Sequence, residues 1–400
     1  MKKVQLLILF FCLISINSVA QLWPLQTLKE KPVFTSIDEA LKSPENVYRL
    51  NLSEQNLTEV PESITDFVDL NELILSKNNL TSLPAFICDF EFLQILVADD
   101  NQILQMPQNI GNLANLQSIN FSKNKLTTIP ESFGQLIALT RIDLQYNNLR
   151  KLPESFGNLE AVEVLNLYVN DLEKLPKSFG KMNNLTYLYL SSNRLTKLPE
   201  SLTDLLHLKV LDLGDNALKS LPELIGDLYN LEYLFLAENE IASIPESIQY
   251  MKALVEVDLS SNQLRTFPES IDSLQQLIEL NLDLNQFIEF PLSILKLTKL
   301  ESLGLSYNLI ATLPDNINLL INLTSLTRDE NPIAILPENF WKLANLVSLD
   351  LSGTKISIVP VKLAYLTKLQ ELDLSDMQLT KEQCESVKTY LVHPDVEVKF

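Results

Sequence analysis

Residues 185–207 read LTYLYLSSNRLTKLPESLTDLLH, and the fold is decided by this stretch. Leu185, Leu188, Leu190 and Leu195 follow L-x-x-L-x-L-x-x-N-x-L, with Asn193 at the ninth position and Pro199 at the fifteenth. Working outward, the first position recurs at Val47, Leu70, Leu93, Leu116, Leu139, Val162, Leu185, Leu208, Leu231, Leu254, Leu277, Leu300, Leu323, Leu346 and Leu369. Every interval is 23 residues, without an insertion. The ninth position is asparagine in twelve of the fifteen registers, and the fifteenth is proline in fourteen, from Pro61 to Pro360. Self-similarity at one fixed period is the mark of a solenoid.

Physical chemistry gives each position a task. Leu188 and Leu190 alternate with Tyr187, Tyr189 and Ser191, so the leucines point inward and the others outward. A three-residue strand cannot bury its apolar side alone, so successive layers stack into a parallel sheet. Asn193 and its equivalents turn the chain inward and must bond backbone groups of adjacent layers, since buried polar groups require partners. Proline suits an extended return segment, because it lacks the donor that a ladder needs. At the sixth position Ala98 precedes Phe121 by one layer, small beside large. The expected architecture is an α/β-type repeat solenoid, curved as a horseshoe, with about 15 repeats and a concave parallel β-sheet.

This pattern resembles the leucine-rich repeat family. It is most similar to the 23-residue form ending L-P-x-x-I-G-x-L, found in bacterial repeat proteins and Ras-pathway scaffolds of the Shoc-2 type. Residues 152–159, LPESFGNL, carry that ending. The resemblance covers residues 47 to 390 and implies a binding scaffold, without naming what is bound.

The ends read differently. Lys2 and Lys3 precede an apolar run, and Ser18-Val19-Ala20 supplies small residues before Gln21, so residues 1–20 read as a signal peptide cleaved after Ala20. Residues 21–46 form an extended lead and a short capping helix opened by a capping box from Ser36 to Glu39. The solenoid occupies residues 47–380. In its last register Met377 replaces the asparagine and Gln383 the proline. Residues 381–400 then form a C-terminal cap, an amphipathic helix from Lys381 to Leu391 followed by a short strand. The chain is expected to be secreted, periplasmic or on the cell surface. Cleavage removes Cys12, and Cys88 and Cys384 fall too many layers apart for a disulfide.

Composition narrows the function. With 51 acids against 31 bases the formal charge is -20, which disfavours nucleic acid and anionic membrane surfaces. Glycine is only 8 of 400 residues, and no glycine-rich phosphate loop occurs. His207 lies in a return segment and His393 in the end cap, and neither partners a nucleophile. Asp212 and Asp258 lie two layers apart, ~9.6 Å by strand spacing, near the ~6.5–9.5 Å used by inverting glycosidases. An open sheet does little to raise an acid's pKa, so a solvated acidic face is the better reading. Glu256, Glu279 and Asp258 crowd together without any calcium-loop pattern, and no metal or cofactor is expected. The asparagine sequons at Asn56, Asn79, Asn184 and Asn322 are generated by the repeat itself. Arg328 occupies an inward sixth position and is expected to snorkel toward Asp329 or Glu330.

What remains is the outward surface at the third, fifth and seventh positions. Tyr168, Tyr187, Tyr189, Tyr233 and Phe235 fall there within four layers, while leucines already fill the core. With Asp212 and Asp258 they form the expected ligand-binding face, since exposed aromatic patches mark binding sites. The expected function is non-catalytic binding of a protein or peptide on the concave face, with basic partners favoured by the acidic surroundings. A glycan-binding module is the alternative, and a carboxylate-based glycoside hydrolase a weaker one. The 23-residue period makes one firm demand of the folding. Deleting one whole register should lower stability yet preserve a cooperative melt, whereas deleting half a register should abolish it, because inward leucines then meet the wrong neighbours. Circular dichroism melts of both deletions check this.

Overall fold

A computed structural model of the chain describes residues 22–327, 329–377, 379–391 and 395–400. The signal segment with Cys12, the inward Arg328 and His393 lie outside the described residues. The chain forms two compact units, Met1–Asn147 and Asn148–Phe400. In the first, strands β1 (Arg49–Asn51), β2 (Glu72–Ile74), β3 (Ile95–Val97), β4 (Ser118–Asn120) and β5 (Arg141–Asp143) pair in parallel and in chain order. The second unit repeats the arrangement. It contains β6 (Val164–Asn166), β7 (Tyr187–Tyr189), β8 (Val210–Asp212), β9 (Tyr233–Phe235), β10 (Glu256–Asp258), β11 (Glu279–Asn281), β12 (Ser302–Gly304), β13 (Ser325–Thr327), β14 (Ser348–Asp350), β15 (Glu371–Asp373) and β16 (Glu397–Lys399). Each strand pairs with the next, Leu165 facing Leu188 and Leu188 facing Leu211, so the sequence period is the pairing register.

Burial follows the repeat. Leu185, Leu188, Leu190, Leu195 and Leu205 are wholly buried, as are the equivalent residues of neighbouring layers. Ala98 and Phe121 both lie at 0% exposure, the large ring filling the volume beside the small methyl. The return segments correct one expectation. Pro176 itself is extended (φ -65°, ψ 152°), but Lys177–Lys181 then winds into a 3₁₀ turn. Phe179 N–H donates to the Pro176 carbonyl at 3.1 Å and Met182 N–H to Phe179 at 3.2 Å. A fully extended return would leave those groups unpaired, and the turn satisfies them locally. Gly180 sits in this turn because a Cβ there would lie 1.9 Å from the Ser201 carbonyl oxygen of the following layer.

The asparagine at the ninth position is the most heavily bonded side chain of each layer. Asn193 Nδ2 donates to the carbonyls of Leu190 (2.9 Å), Ser191 (3.3 Å) and, one layer back, Leu167 (3.0 Å). Its Oδ1 accepts from Leu172 N–H at 3.0 Å. Asn78, Asn124 and Asn262 repeat the set. The residue before each ninth position is left-handed, with φ from 51° to 61°, yet only Gly353, before Thr354, is a glycine. Val169, at φ 51°, is β-branched and the least suited to that region.

The ends of the stack are closed by different means. At the N-terminal end Phe34 bridges to β1, donating to Arg49 O (3.0 Å) and accepting from Asn51 N–H (2.8 Å). Residues 22–35 are therefore not a plain extended lead, and they include helix α1 (Leu25–Leu28), whose Leu28 is buried. Helix α2 (Ile37–Ala40) forms where the short helix was expected, but Ser36 makes no side-chain capping bond. The short helix is held by its backbone, Ala40 N–H donating to Ser36 O at 3.1 Å and Leu41 N–H to Ile37 O at 2.8 Å. At the C-terminal end helix α3 (Lys381–Tyr390) opens with a true capping box between Thr380 and Gln383, and β16 adds a last parallel strand to β15. Gln383 departs from the proline pattern because its amide serves this box and also donates to Ser357 O at 2.8 Å.

Two substitutions separate the asparagine bonds from the strain beside them. Asn193→Ala should cost about 3 kcal/mol, because it strands a buried N–H and several carbonyls. Val169→Asn should gain about 0.5–1 kcal/mol, since asparagine tolerates the left-handed region that valine resists. Urea denaturation of both variants measures the two effects.

Candidate binding face

The third, fifth and seventh positions flank the buried fourth and sixth, and their side chains leave the sheet on its open side. Tyr187 is 39% exposed, while Tyr168, Tyr189, Asp212, Tyr233, Phe235 and Asp258 are half-buried. Tyr187 faces Val210 and Val210 faces Tyr233; Tyr189 faces Asp212 and Asp212 faces Phe235. The Tyr233 and Phe235 rings stack with centroids 6.5 Å apart and planes inclined by 29°. Glu256 and Asp258 of β10 lie against Tyr233 and Phe235. The structure thus places Tyr187, Tyr189, Tyr233 and Phe235 on β7 and β9, either side of β8, and Tyr168 just past β6, all in one unit. Lys209, one position ahead of β8, is engaged by Glu232 at 3.0 Å.

Sequence reasoning missed what the fifth-position carboxylates do. Asp212 Oδ1 accepts Gly214 N–H at 3.1 Å, and Asp258 Oδ1 accepts Ser260 N–H at 2.9 Å. Asn51, Asn120, Asp143, Asn166, Asn281, Asp350 and Asp373 do the same for their own seventh-position N–H. These side chains close the turn that follows each strand. The signal was visible in the sequence, where asparagine and aspartate alternate freely at the fifth position, as they can when only a shared Oδ1 matters. The Asp212–Asp258 pair therefore commits an oxygen of each member to the backbone.

Burial sets the electrostatics of the face. Against the expectation for an open sheet, it raises the carboxyls of Asp143, Asp212 and Asp350 above the usual aspartate range. Glu256 is raised by burial first, and then by the charges of Glu279 and Asp258. Asp283 is pushed up to about 6, again mainly by burial. Its role follows from Gly304, the fifth residue of the next layer, which has no side chain to close its turn. Asp283 reaches across and accepts Ser306 N–H at 2.6 Å and Thr327 Oγ1–H at 3.3 Å. Among the described residues no group of three or more His, Cys, Asp or Glu is arranged to hold a metal ion. Cys88 and Cys384 are free, and burial pushes the Cys88 thiol up to about 12. No described helix is long and apolar enough to cross a membrane.

A stack of parallel three-residue strands, asparagine-bonded turns and proline-led 3₁₀ returns defines a leucine-rich repeat scaffold. The leucine-rich repeat sequence model matches residues 92–149, 152–195 and 207–264, and its two-copy form matches residues 183–226. A leucine-rich repeat protein of Leptospira interrogans is 30% identical over 92% of this chain and 100% of its own, with a TM-score of 0.78. The chain belongs to the leucine-rich repeat family. The Arabidopsis receptor kinase HAESA, solved with the peptide hormone IDA and the co-receptor SERK1, is 28% identical. That match covers 87% of this chain and 64% of HAESA, with a TM-score of 0.64. An internalin of Listeria monocytogenes shares the fold at 23% identity, covering 85% of this chain and 93% of its own, with a TM-score of 0.67. Curated protein sequences give no match.

The raised carboxyls have a sign that can be tested. Asp283 holds its proton more tightly folded than unfolded, so its penalty is absent below about pH 4 and grows as pH rises through about 6. Asp283→Asn keeps the Oδ1 acceptor for Ser306. It should add about 1 kcal/mol of stability at neutral pH, allowing for the carboxyl's partial contact with water, and almost nothing at about pH 4. Urea titrations at the two pH values decide it.

Proposed function

We propose that the chain is a secreted, non-catalytic leucine-rich repeat protein that binds a protein or peptide on the open face of its sheet. The single observation carrying this reading is the aromatic cluster on β7 and β9, outside a core that leucines already fill. Apolar rings at the surface of a soluble solenoid have no packing task, and binding hot spots are enriched in tyrosine. Tyr187, Tyr189, Tyr233 and Phe235 form the centre, Tyr168 extends it, and Asp212 and Asp258 contribute charge. The peptide complex of HAESA supports a peptide-binding role for this architecture. Residues 1–20 act as the signal peptide that exports the chain to the medium, periplasm or surface, and residues 381–400 cap the last layer. The acidic face favours partners with basic residues next to apolar ones.

A pull-down from the native secretome supplies the partner, and calorimetry tests the face. Tyr189→Ala and Phe235→Ala should each weaken binding by ~2 kcal/mol or more, with melting temperatures unchanged. Lys177→Ala and Glu200→Ala, on the return segments, should change it by less than ~0.5 kcal/mol. Equal losses on both sides would remove the open face from consideration. Competition by soluble polysaccharide would identify the ligand as a glycan.

A further inference from the structure

The aromatic residues stand at the third and fifth positions of β7 and β9, and β8 between them carries Val210 and Asp212. The two ring-bearing strands therefore lie two layers apart, ~9.6 Å at a strand spacing of ~4.8 Å. Backbone donors share this period. In β6, β8 and β10 the fifth-position Asn166, Asp212 or Asp258 accepts the seventh-position N–H. In β7 and β9 the fifth residue is Tyr189 or Phe235, and the N–H groups of Ser191 and Ala237 have no acceptor among the described residues. Gly214 lies between these two donors. A Cβ there would meet Ala237 O, Asp212 Oδ1 and Ser191 Oγ at 3.5 Å, an ordinary contact, so packing does not demand a glycine. Glycine keeps the strip between the donors free of a side chain.

The spacing discriminates among ligand conformations. An extended β-strand brings side chains to the same face every second residue, ~6.8 Å apart, out of step with the rings. A polyproline II helix repeats every third residue at ~3.1 Å rise, or ~9.3 Å, and matches them. Its prolines stack on aromatic rings, and its carbonyls point outward without internal partners, as acceptors for N–H groups such as those of Ser191 and Ala237. Charge then selects the flank. Beyond β9 come Glu256 and Asp258, then Glu279 paired beside Glu256, a group of like charges that a cation would relieve.

We infer that this face takes a proline-rich segment in the polyproline II conformation, with prolines three residues apart and an arginine or lysine three residues beyond them. The inference rests on the reading of the aromatic face as a binding surface. A polyproline helix presents similar groups in both chain directions, so the orders P-x-x-P-x-x-R and R-x-x-P-x-x-P are both probes.

Fluorescein-labelled twelve-residue peptides of both orders, titrated into the mature chain and followed by anisotropy, form the test. At least one order should bind about tenfold tighter than peptides of the same composition with prolines two or four residues apart. Tyr189→Ala and Phe235→Ala should each weaken it about tenfold or more, and replacing the peptide arginine by glutamate should weaken it several-fold. Gly214→Val should also weaken it while leaving the melting temperature unchanged. Equal binding at every spacing overturns the polyproline inference. So does absence of proline-peptide binding while a captured partner still depends on Tyr189 and Phe235, and that result leaves the aromatic face standing. Binding of peptide and captured partner that ignores both substitutions overturns the face itself.

Discussion

Twelve of the fifteen layers depend on one inward amide. A ninth-position asparagine such as Asn193 bonds three carbonyls and one N–H, two of these groups lying in its own layer and two in or near the turn of the layer before. Apolar burial supplies most of the stabilisation, but it is indifferent to register, because one leucine packs much like another. The amide is not indifferent. Its donors and acceptor fit only when layers are offset by one whole repeat. The turn that holds it keeps the preceding residue in the left-handed region at a cost of ~1–2 kcal/mol, which non-glycine residues bear in nearly every layer. That cost persists because the alternative, a buried amide without partners, is larger.

The fifth position shows how stability and surface chemistry compete for the same site. An asparagine or aspartate there closes the following turn through Oδ1 and keeps the surface polar. Where Tyr189 and Phe235 stand instead, the turn loses that bond and the surface gains a ring. At Gly304 the bond is recovered from the neighbouring layer by Asp283, whose carboxyl is raised by the burial this requires. The fold tolerates such exchanges because each touches one local bond and leaves the leucine core and the asparagine ladder intact.

The two ends solve one problem with unrelated local chemistry. A solenoid end exposes an apolar disc and an unpaired strand edge. Phe34 bridges to β1, and Leu28 and Ala40 bury apolar surface beside it. At the other end β16 occupies the edge of β15 while Val387 of α3 is buried. Neither end keeps the 23-residue period, because each has a neighbour on one side only.

From sequence alone the architecture, the inward leucines, the stacking register, the C-terminal helix and the outward aromatic positions were all legible. The helix follows from its own amphipathic pattern; the rest follows from a period repeated fifteen times, and averaging over many copies removes the ambiguity of any single one. Tertiary structure alone decided the rest. It turned the return segments into 3₁₀ helices, left Ser36 without a capping bond, and replaced part of an extended lead by α1. It also assigned Asp212 and Asp258 to turn closure and Asp283 to the turn that Gly304 leaves open. These outcomes depend on which polar atom finds a partner in the adjacent layer. Such distances are set by stacking, and a repeat pattern records which residues recur without recording what faces them across the gap.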